Sequence, residues 1–576
     1  MCKPTSQRLF FTNANANSVT ILDVSNPSTP TLVSDIDMST FDGGINSVAV
    51  QNGIVAAAVE GNAVDDNGVV VFMDTDGTVT GQVTVGVLPD MLTFTPDGNK
   101  VITANEGEPN DDYTIDPEGS VSIIDISGGV NAAAVTNITF ESLNADIDTL
   151  RAAGVRIYGP GASVAQDLEP EFIAVTENNQ IAVAVLQENN AIARIDLTNN
   201  TLIDVLPLGY KNHGLAFNGF DASNRSAGID IKPQPTLGMY QPDAIKSVNI
   251  DGTDYFVTAN EGDSRDYDGF SEELRVEDLF LYSFDYPNFR DVLMEENLGR
   301  LKTTTTSPEK SITTIAGVEI SGVAPILSYG ARSFSIWDAA GNLIFDSGDF
   351  IEQKLAELIP DDFNSTNDEN GSLKNRSDDK GPEPEAIEIA KLGDDIFALV
   401  GLERVGGVMV FDITNPTALA YVSYLNNRDF SVEDVTTSAV GDLGVKDIRY
   451  IPVEDSPVDV PLVLTANEVS GTVTIFAVNA LPTSTRDILN LSQFDVKIGP
   501  NPFVENMNIS YELDAISRVS VNLIDVKGRF VKNVINEQQA SGAYSFDVNT
   551  GNLVPGIYYV LVRVNNRVAA LPVVKQ

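Results

Sequence analysis

The sequence holds one cysteine, Cys2, so it can close no disulfide within the chain and build no cysteine-rich metal site. Its single histidine, His213, excludes a histidine-rich zinc site and any mechanism that needs two imidazoles. Its single tryptophan, Trp337, reads as repeat core. Basic residues are scarce: 35 Lys and Arg stand against 82 Asp and Glu, for a net charge of −47. Such a chain repels nucleic acid and anionic membrane. It suits a soluble protein in a salty or calcium-rich medium, where cations screen or bridge the carboxylates. No run approaches the ~20 apolar residues of a membrane helix, so no transmembrane segment is expected. Met1-Cys2-Lys3-Pro4 is followed by no apolar leader, which fits either a trimmed start or a cytosolic protein. No G-x-S-x-G elbow for a serine nucleophile is present.

What is present is a repeat. Thr103-Ala104-Asn105-Glu106-Gly107 runs on to Tyr113, Thr258-Ala259-Asn260-Glu261-Gly262 runs on to Tyr267, and Thr465-Ala466-Asn467-Glu468 is a third, shorter copy. Each follows one apolar run and precedes another, so the unit is strand, acidic turn, strand. One such unit cannot bury both faces of its own sheet, and recurrence implies sheets stacked on one another. Eight strand pairs are expected: 8–11 with 18–23, 54–59 with 68–73, 100–103 with 120–126, and 181–186 with 191–197. The others are 255–258 with 279–284, 326–329 with 334–338, 396–400 with 407–412, and 462–465 with 472–478. Asp23, Asp125, Asp196 and Asp412 end second strands just before turns. The fold class is all-β: a seven-bladed β-propeller, if the first pair completes the last sheet, with eight blades as the alternative. Insertions break the pattern, with helical stretches over Leu143–Ala153 and Phe350–Leu358.

The charge is uneven. Residues 496–576 carry +2 and residues 1–495 carry −49, which marks a boundary. The propeller with its loops spans 1–480, a linker 481–495, and a small antiparallel β-sandwich 496–576. In that sandwich, strands are expected at 507–511, 519–525, 542–548, 557–564 and 567–574.

The last domain resembles the C-terminal sorting domain of the Bacteroidetes type IX secretion system. The resemblance rests on Pro500-Asn501-Pro502-Phe503, Asp525-Val526-Lys527-Gly528-Arg529, Leu553-Val554-Pro555-Gly556-Ile557-Tyr558-Tyr559 and Lys575. It implies a secreted or outer-membrane cell-surface protein, with residues 496–576 read by the secretion translocon and a removed N-terminal signal. Residues ~8–480 resemble the choice-of-anchor I extracellular propeller family, some members of which carry an alkaline phosphatase label. The matching strings are Thr95-Pro96-Asp97-Gly98, the TANEG turns, Asp167-Leu168-Glu169-Pro170-Glu171, Leu186-Gln187-Glu188-Asn189-Asn190, Gln241-Pro242-Asp243-Ala244, Gly381-Pro382-Glu383-Pro384-Glu385 and Gly401-Leu402-Glu403-Arg404. The family's last repeat tends to carry Gly-Pro-Glu-Gly where this chain has Gly444-Val445-Lys446-Asp447. Either the carboxylate has moved to Asp447, or it is lost and a cation, Lys446, stands in its place.

Pro89-Asp90, Glu169-Pro170-Glu171, Pro242-Asp243 and Glu383-Pro384-Glu385 each precede an apolar strand. In a propeller these acids would converge on one mouth of the axial channel, each aimed by a proline-fixed backbone. Glu106, Glu188, Glu261, Glu403 and Glu468, at strand ends, are expected near the same face. The candidate metal ligands are Asp90, Glu106, Glu169, Glu171, Asp243, Glu261, Glu383, Glu385, Glu403 and Glu468. An all-oxygen set favours Ca²⁺, then Mg²⁺, over zinc. The bland alternative is that these residues cap turns and pair with arginine. Arg265, Arg404 and Lys211 are the expected counter-charges. With His213 they are the catalytic candidates should the chain be a metal-dependent phosphoesterase. The competing function is a secreted calcium-binding propeller that holds a ligand or surface partner; a third is a purely structural surface protein.

Overall fold

The computed structural model describes residues 7–41, 43–417, 419–478, 487–488, 496–513, 517–525, 530–551, 553–564 and 567–575. The chain divides into two compact units, Met1–Val410 with Tyr424–Asn479, and Phe411–Ser423 with Ala480–Gln576. Apart from Asp487–Ile488, the expected linker 481–495 lies outside the described residues, as do Cys2 and the turn 526–529.

Among the described residues seven sheets share one plan, each with antiparallel strands laid down in chain order. The first is Arg8–Asn13, Ser18–Asp23, Thr31–Asp37. The second is Ile45–Gln51, Ile54–Val59, Asn67–Asp74, Val79–Val87. The third is Pro89–Phe94, Lys100–Asn105, Ser120–Asp125, Ala134–Thr139. The fourth is Pro170–Val175, Ile181–Leu186, Ala191–Asp196, Thr201–Pro207. The fifth is Ala244–Ile250, Thr253–Asn260, Ser333–Asp338, Leu343–Asp346. The sixth opens with Pro384–Leu392 and Asp395–Leu402 and continues into Val408–Asp412. The seventh is Val445–Ile451, Leu462–Asn467, Thr472–Ala477. First strands of consecutive sheets pack on each other all along this series, from Arg8–Asn13 to Val445–Ile451.

Eight expected pairs become seven sheets for a reason that differs from the expected one. The N-terminal pair keeps a sheet of its own. Instead, Thr253–Asn260 pairs directly with Ser333–Asp338, so the fifth and sixth expected pairs are one sheet interrupted by residues 261–332. Leu279–Phe284 is not its partner strand, and Ile326–Ser328 belongs to a small separate sheet with Thr236–Met239.

Each middle sheet is buried on both faces, which is why strands such as Ile54-Val55-Ala56-Ala57-Ala58-Val59 are apolar without alternation. Val55, Ala57, Val59, Val69 and Val71 pack toward Val19 of the first sheet. Their strand neighbours Ala56, Ala58, Val70 and Phe72 pack toward Leu92, Val101 and Ile124 of the third. The third sheet meets the fourth through Ile102, Val121, Ala184 and Ile195, and the fourth meets the fifth through Val183, Ile192, Phe256 and Trp337. Each fully buried Val, Ile or Leu is worth roughly 1.5–3 kcal/mol.

The Thr-Ala-Asn part of the repeat is structural. Asn260 Nδ2 donates to Ser333 Oγ (3.3 Å) and Ser335 Oγ (2.8 Å), and both serines donate to Asp346 Oδ2 (2.6 and 2.8 Å). Thr258 Oγ1 donates to Asn260 Oδ1 (2.8 Å) and accepts from Trp337 Nε1 (2.9 Å). Thr103, Asn105, Ser120, Ser122 and Asn137 repeat the arrangement in the third sheet. These buried ladders satisfy polar groups that would otherwise be costly inside a sheet stack. The Asp residues that end strands are turn formers: Asp23, Asp125, Asp196 and Asp412 accept the amide two residues on at 2.7–3.0 Å. The expected helices are present, Ile147–Ala153 ending at Gly154 with φ 110°, and Phe350–Leu358.

The second unit holds two antiparallel sheets. One is Lys497–Gly499, Asn506–Leu513, Gly542–Asn549. The other runs Phe530–Gln539, Ser517–Asp525, Gly556–Val564, Arg567–Lys575. Phe503, Met507, Ile509, Val519, Val521, Leu523 and Val562 form its core. Phe530–Gln539 and Lys497–Gly499 are strands in addition to the five expected.

Candidate functional site

Five first strands begin with the same irregularity. The register with the second strand slips between Ile45 and Ser47, Pro89 and Met91, Pro170 and Ile173, Pro384 and Ile387, and Val445 and Asp447. The residue freed from pairing is Asn46, Asp90, Glu171, Glu385 and Lys446 respectively, the residues in the fourth and sixth sheets each having one further unpaired neighbour. A bulge bends the strand and re-aims a side chain out of the ladder. The chain leaving the second strand is tied to the same spot. The amides of Glu60, Glu106, Glu403 and Glu468 donate to the carbonyls of Gly44, Leu88, Glu383 and Gly444 at 2.8–3.0 Å. In the fifth sheet Gly262 N reaches Gln241 O at 3.0 Å. Each acceptor lies two residues before the bulged residue, or before Asp243 in the fifth sheet. Each of these sheets therefore presents side chains from two places at one end.

These side chains meet. Lys446 of the seventh sheet bonds Glu385 of the sixth at 2.5 Å and lies 3.5 Å from Asp243 of the fifth. Lys446, rather than Asp447, fills the position at which the sequence left two options. Asp447 turns aside to Arg449 at 3.1 Å. Glu261, Glu383 and Glu403 bring carboxylate oxygens within 4.8 Å of one another. Their charge is met by the chain's own cations. Lys380 lies 2.7 Å from Glu261 and 3.4 Å from Glu383, Arg376 lies 2.7 Å from Glu383, and Arg404 lies 3.0 Å from Glu383 and 2.9 Å from Glu403. Burial works to raise Glu383, but Lys380, Arg376 and Arg404 together hold it well below the usual carboxylate range. Burial and then the Glu383 charge push Glu403 up to about 7. Glu383 also sits at φ 51°, a left-handed conformation that costs a non-glycine residue of order 1–3 kcal/mol and that this ion network stabilises.

On the other side of the cluster burial and like charges dominate, against the pull of Lys446 on Asp90 and of Arg265 on Glu188. Glu171 is raised well above its ordinary value by burial, then by Glu188, Glu106, Asp243 and Asp90. Glu106 is raised by burial, then by Glu108, Asp90, Glu188 and Glu169. Glu188 is pushed up to about 7, by burial first and then by Asp263. Asp90 is pushed up to about 6 by burial, against the pull of Lys446. Glu171 and Glu188, 8% and 6% exposed, each keep one buried carboxylate oxygen with no hydrogen-bond partner. Carboxylates from the third, fourth and fifth sheets thus raise one another across a shared space. A hard divalent cation fits such orphaned oxygens.

Other expected site residues lie elsewhere. Glu169 belongs to a buried ion cluster built by the 261–332 insertion. Arg265, 1% exposed, bonds Asp167, lies 2.9 Å from Glu169 and stacks 4.6 Å from the Tyr158 ring. Glu272 of the same insertion accepts from Tyr158 (2.6 Å) and from Arg156. Tyr267 donates to Glu108 at 3.0 Å and its ring meets Tyr113 at 5.7 Å, so the two Tyr-bearing turns are in contact. Lys211, 2% exposed, is held by the carbonyls of Ala331 and Gly348 and by Asp346 at 3.0 Å. His213, 1% exposed, bonds the Asn218 carbonyl at 2.6 Å, and burial then Lys211 hold it well below its ordinary value. The partners of Lys211 and His213 are outside the acid cluster. Glu468 leaves its strand at the same place as Glu403 but is exposed. Lys380 and Arg376, which meet the charge of Glu261 and Glu383, are not among the expected site residues; their string Arg376-Ser377-Asp378-Asp379-Lys380 runs into Gly381–Glu385 as one of the family-matching strings, without a site role.

The profile of the choice-of-anchor I domain matches residues 1–416, and that of a secretion system C-terminal sorting domain matches residues 497–576. Gigasin-3a of Magallana gigas is 29% identical over 166 residues, covering 27% of this chain and 58% of that protein. The mesenchyme-specific cell surface glycoprotein of Strongylocentrotus purpuratus is 29% identical over 323 residues, covering 48% of this chain and 40% of that protein. The chain thus spans about half the length of these curated relatives. Among solved structures, the β-propeller domain of Cps50 (Swd1) from Myceliophteria thermophila matches with a TM-score of 0.37 and 8% identity, covering 83% of this chain and 100% of that one. The chain belongs to the choice-of-anchor I domain family. Its sorting domain marks it as a secreted or cell-surface protein handled by the type IX secretion system, and no helix among the described residues is long and apolar enough to cross a membrane.

Proposed function

We propose that this choice-of-anchor I protein is a secreted, surface-displayed β-propeller of seven blades, exported by a Bacteroidetes-type system. Its acidic axial mouth takes a divalent cation, calcium before magnesium, and with it holds a ligand or surface partner. The serial packing of seven first strands supports the propeller, since one residue per sheet, at one strand position, then faces a common axis. The observation that carries the cation is the set of buried, unpartnered oxygens on Glu171, Glu188 and Glu385 among carboxylates of other sheets. Calcium accepts 6–8 oxygen ligands at flexible angles, whereas magnesium demands a near-ideal octahedron; an irregular ring of long glutamates suits the former. The cell-surface name of the sea urchin relative accords with display outside the cell.

The phosphoesterase alternative needs cationic groups free to face phosphoryl oxygens. Arg265 and Lys211 are engaged by buried partners, and of the proposed cations only Arg404, with 27% of its side chain exposed, shares the mouth. Melting curves of the chelated full chain with and without millimolar calcium, beside phosphatase assays with each divalent metal, test the proposal. A rise in melting temperature with calcium and no turnover is expected. An unchanged melting temperature rejects the cation, and metal-dependent turnover rejects the binding role in favour of the enzyme.

A further inference from the structure

We infer that the first sheet leaves its innermost strand position unfilled, and that this position takes one extended strand donated by a separate polypeptide. The site stands apart from the cation reading. The strands Arg8–Asn13, Ser18–Asp23 and Thr31–Asp37 correspond to the second, third and fourth strands of the four-stranded sheets, not to the first three. The middle one ends in Asp23, which accepts the amide two residues on, as Asp74, Asp125, Asp196 and Asp338 do at the ends of third strands. Ser18 and Thr20 donate to Asp35 Oδ1 at 2.7 and 2.8 Å, matching the bonds from Ser333 and Ser335 of a third strand to Asp346 of a fourth. The register slip between Ile21 and Leu22 falls where third and fourth strands slip in the second, fourth and fifth sheets. Arg8–Asn13, ending in Thr12-Asn13, therefore holds the position of Lys100–Asn105 and Thr253–Asn260.

Packing agrees. Arg8–Asn13 packs on Ile45–Gln51 as the second strands Ile54–Val59 and Lys100–Asn105 pack on Pro89–Phe94 and Pro170–Val175. Every first strand from Ile45–Gln51 to Val445–Ile451 also packs on the next first strand, but no such packing joins Val445–Ile451 to Arg8–Asn13. The edge of Arg8–Asn13 away from Ser18–Asp23 pairs with no strand among the described residues. None of its six residues is buried, whereas five of six are in Ile54–Val59 and Lys100–Asn105. Phe10 packs toward the second sheet, which leaves Leu9 and Phe11 on the half-exposed opposite face. Both flanking first strands are short of cover too: Ile45–Gln51 has one buried residue and Val445–Ile451 two, against five in Pro170–Val175.

The chain itself shows what fits. First strands run antiparallel to second strands and are six to nine residues long, with apolar residues behind a polar one near the start, as in Ile45-Asn46-Ser47-Val48-Ala49-Val50-Gln51 and Ala244-Ile245-Lys246-Ser247-Val248-Asn249-Ile250. The donor is such a strand. Its main chain completes the open ladder, and its alternate side chains cover Leu9 and Phe11 on one side and Val445–Ile451 on the other. Residues 1–495 carry −49, so the donor has no net negative charge. The same repulsion disfavours a second copy of the chain, itself at −47, as the occupant.

The test is amide hydrogen exchange of the full chain in chelator, alone and with about 1 mM of peptides carrying residues 45–51 or 244–250. The expected result is exchange at least about tenfold slower in Arg8–Asn13 with one of the peptides, as a dissociation constant near 100 μM would give. The 45–51 peptide with Val48→Pro, which lacks a ladder donor, should protect by less than about twofold. Phe11→Asp in the chain, which sets a charge on the face the donor covers, should abolish the protection; circular dichroism and Trp337 emission establish that it is folded, and Leu9→Ser replaces it if it is not. No protection by either peptide, or equal protection by the proline peptide, would overturn the strand site. Slow exchange in Arg8–Asn13 without peptide, together with a dimer mass by light scattering, would overturn the separate donor in favour of a second copy.

Discussion

Replacing Arg265 by methionine separates a structural arginine from a catalytic one. The guanidinium is 1% exposed and its carboxylate partners Asp167 and Glu169 have side chains 0% and 1% exposed. Methionine keeps much of the volume and removes the charge, leaving two buried carboxylates and the Asp167 carbonyl, which accepts from Arg265 Nη2 at 2.8 Å, without their donor. Breaking a buried ion pair from one side costs about 3–5 kcal/mol. Trp337, the single tryptophan, is 3% exposed and sits in the fifth sheet, which carries the insertion that holds Arg265. Its fluorescence in urea therefore reports the affected region. With a urea dependence of about 3 kcal/mol/M, the midpoint is expected to fall by about 1 M or more. Adding Asp167→Asn and Glu169→Gln should restore most of the loss, because the uncompensated charges disappear. A midpoint within about 0.2 M of wild type would refute the reasoning and return Arg265 to the list of groups free for chemistry.

Three further outcomes follow from the same contacts. Asn260→Ala removes the centre of the ladder joining Trp337, Thr258, Ser335 and Asp346, and should cost about 1–3 kcal/mol in urea unfolding. In chelator, stability should fall as pH rises from 5 to 8. The folded-state values of Glu188 (about 7) and Asp90 (about 6) lie above their ordinary ones, so the folded chain holds protons there that the unfolded chain has released. This stabilisation is complete below the ordinary carboxylate range and lost through pH 7, by about 3 kcal/mol for Glu188; Glu383, held low, stabilises the fold evenly across that window and adds no slope. Denaturation curves at fixed pH check it, and calcium should remove the slope, since it favours the ionised form. Lys446→Gln leaves Glu385 and Asp243 without their cation. As 51% of the lysine side chain is exposed, stability should drop by only about 1 kcal/mol, while calcium affinity measured by calorimetry rises several-fold.

The all-β class and most strands were legible because local patterns carry them. Asn105, Asn260 and Asn467 recur at the same strand position, and Gly154 stops the helix that Leu143–Ala153 suggested. The shared bulge position of Asp90, Glu171 and Glu385 was legible for a related reason, since a repeated Pro-acid pair at strand starts is one structural position seen several times. The bulges that aim these acids left no trace beyond the proline, because a register slip depends on the partner strand. The joining of Thr253–Asn260 to Ser333–Asp338 was hidden, as periodicity says nothing about a partner beyond a long insertion. Lys380 and Arg376 were passed over because a charged loop reads as solvated until its fold turns it inward. The strand Phe530–Gln539 was missed because its run of Lys, Asn, Glu and Gln resembles a loop more than an edge strand.

The most direct measurement is anomalous diffraction from crystals of the full chain soaked in terbium, a hard oxygen-seeking stand-in for calcium. The expected result is one strong peak within about 2.3–2.6 Å of oxygens of Glu171 and Glu188. No peak in the mouth, or peaks only at exposed turn acids such as Asp111 and Asp112, would contradict a cation site at the convergence of the first strands.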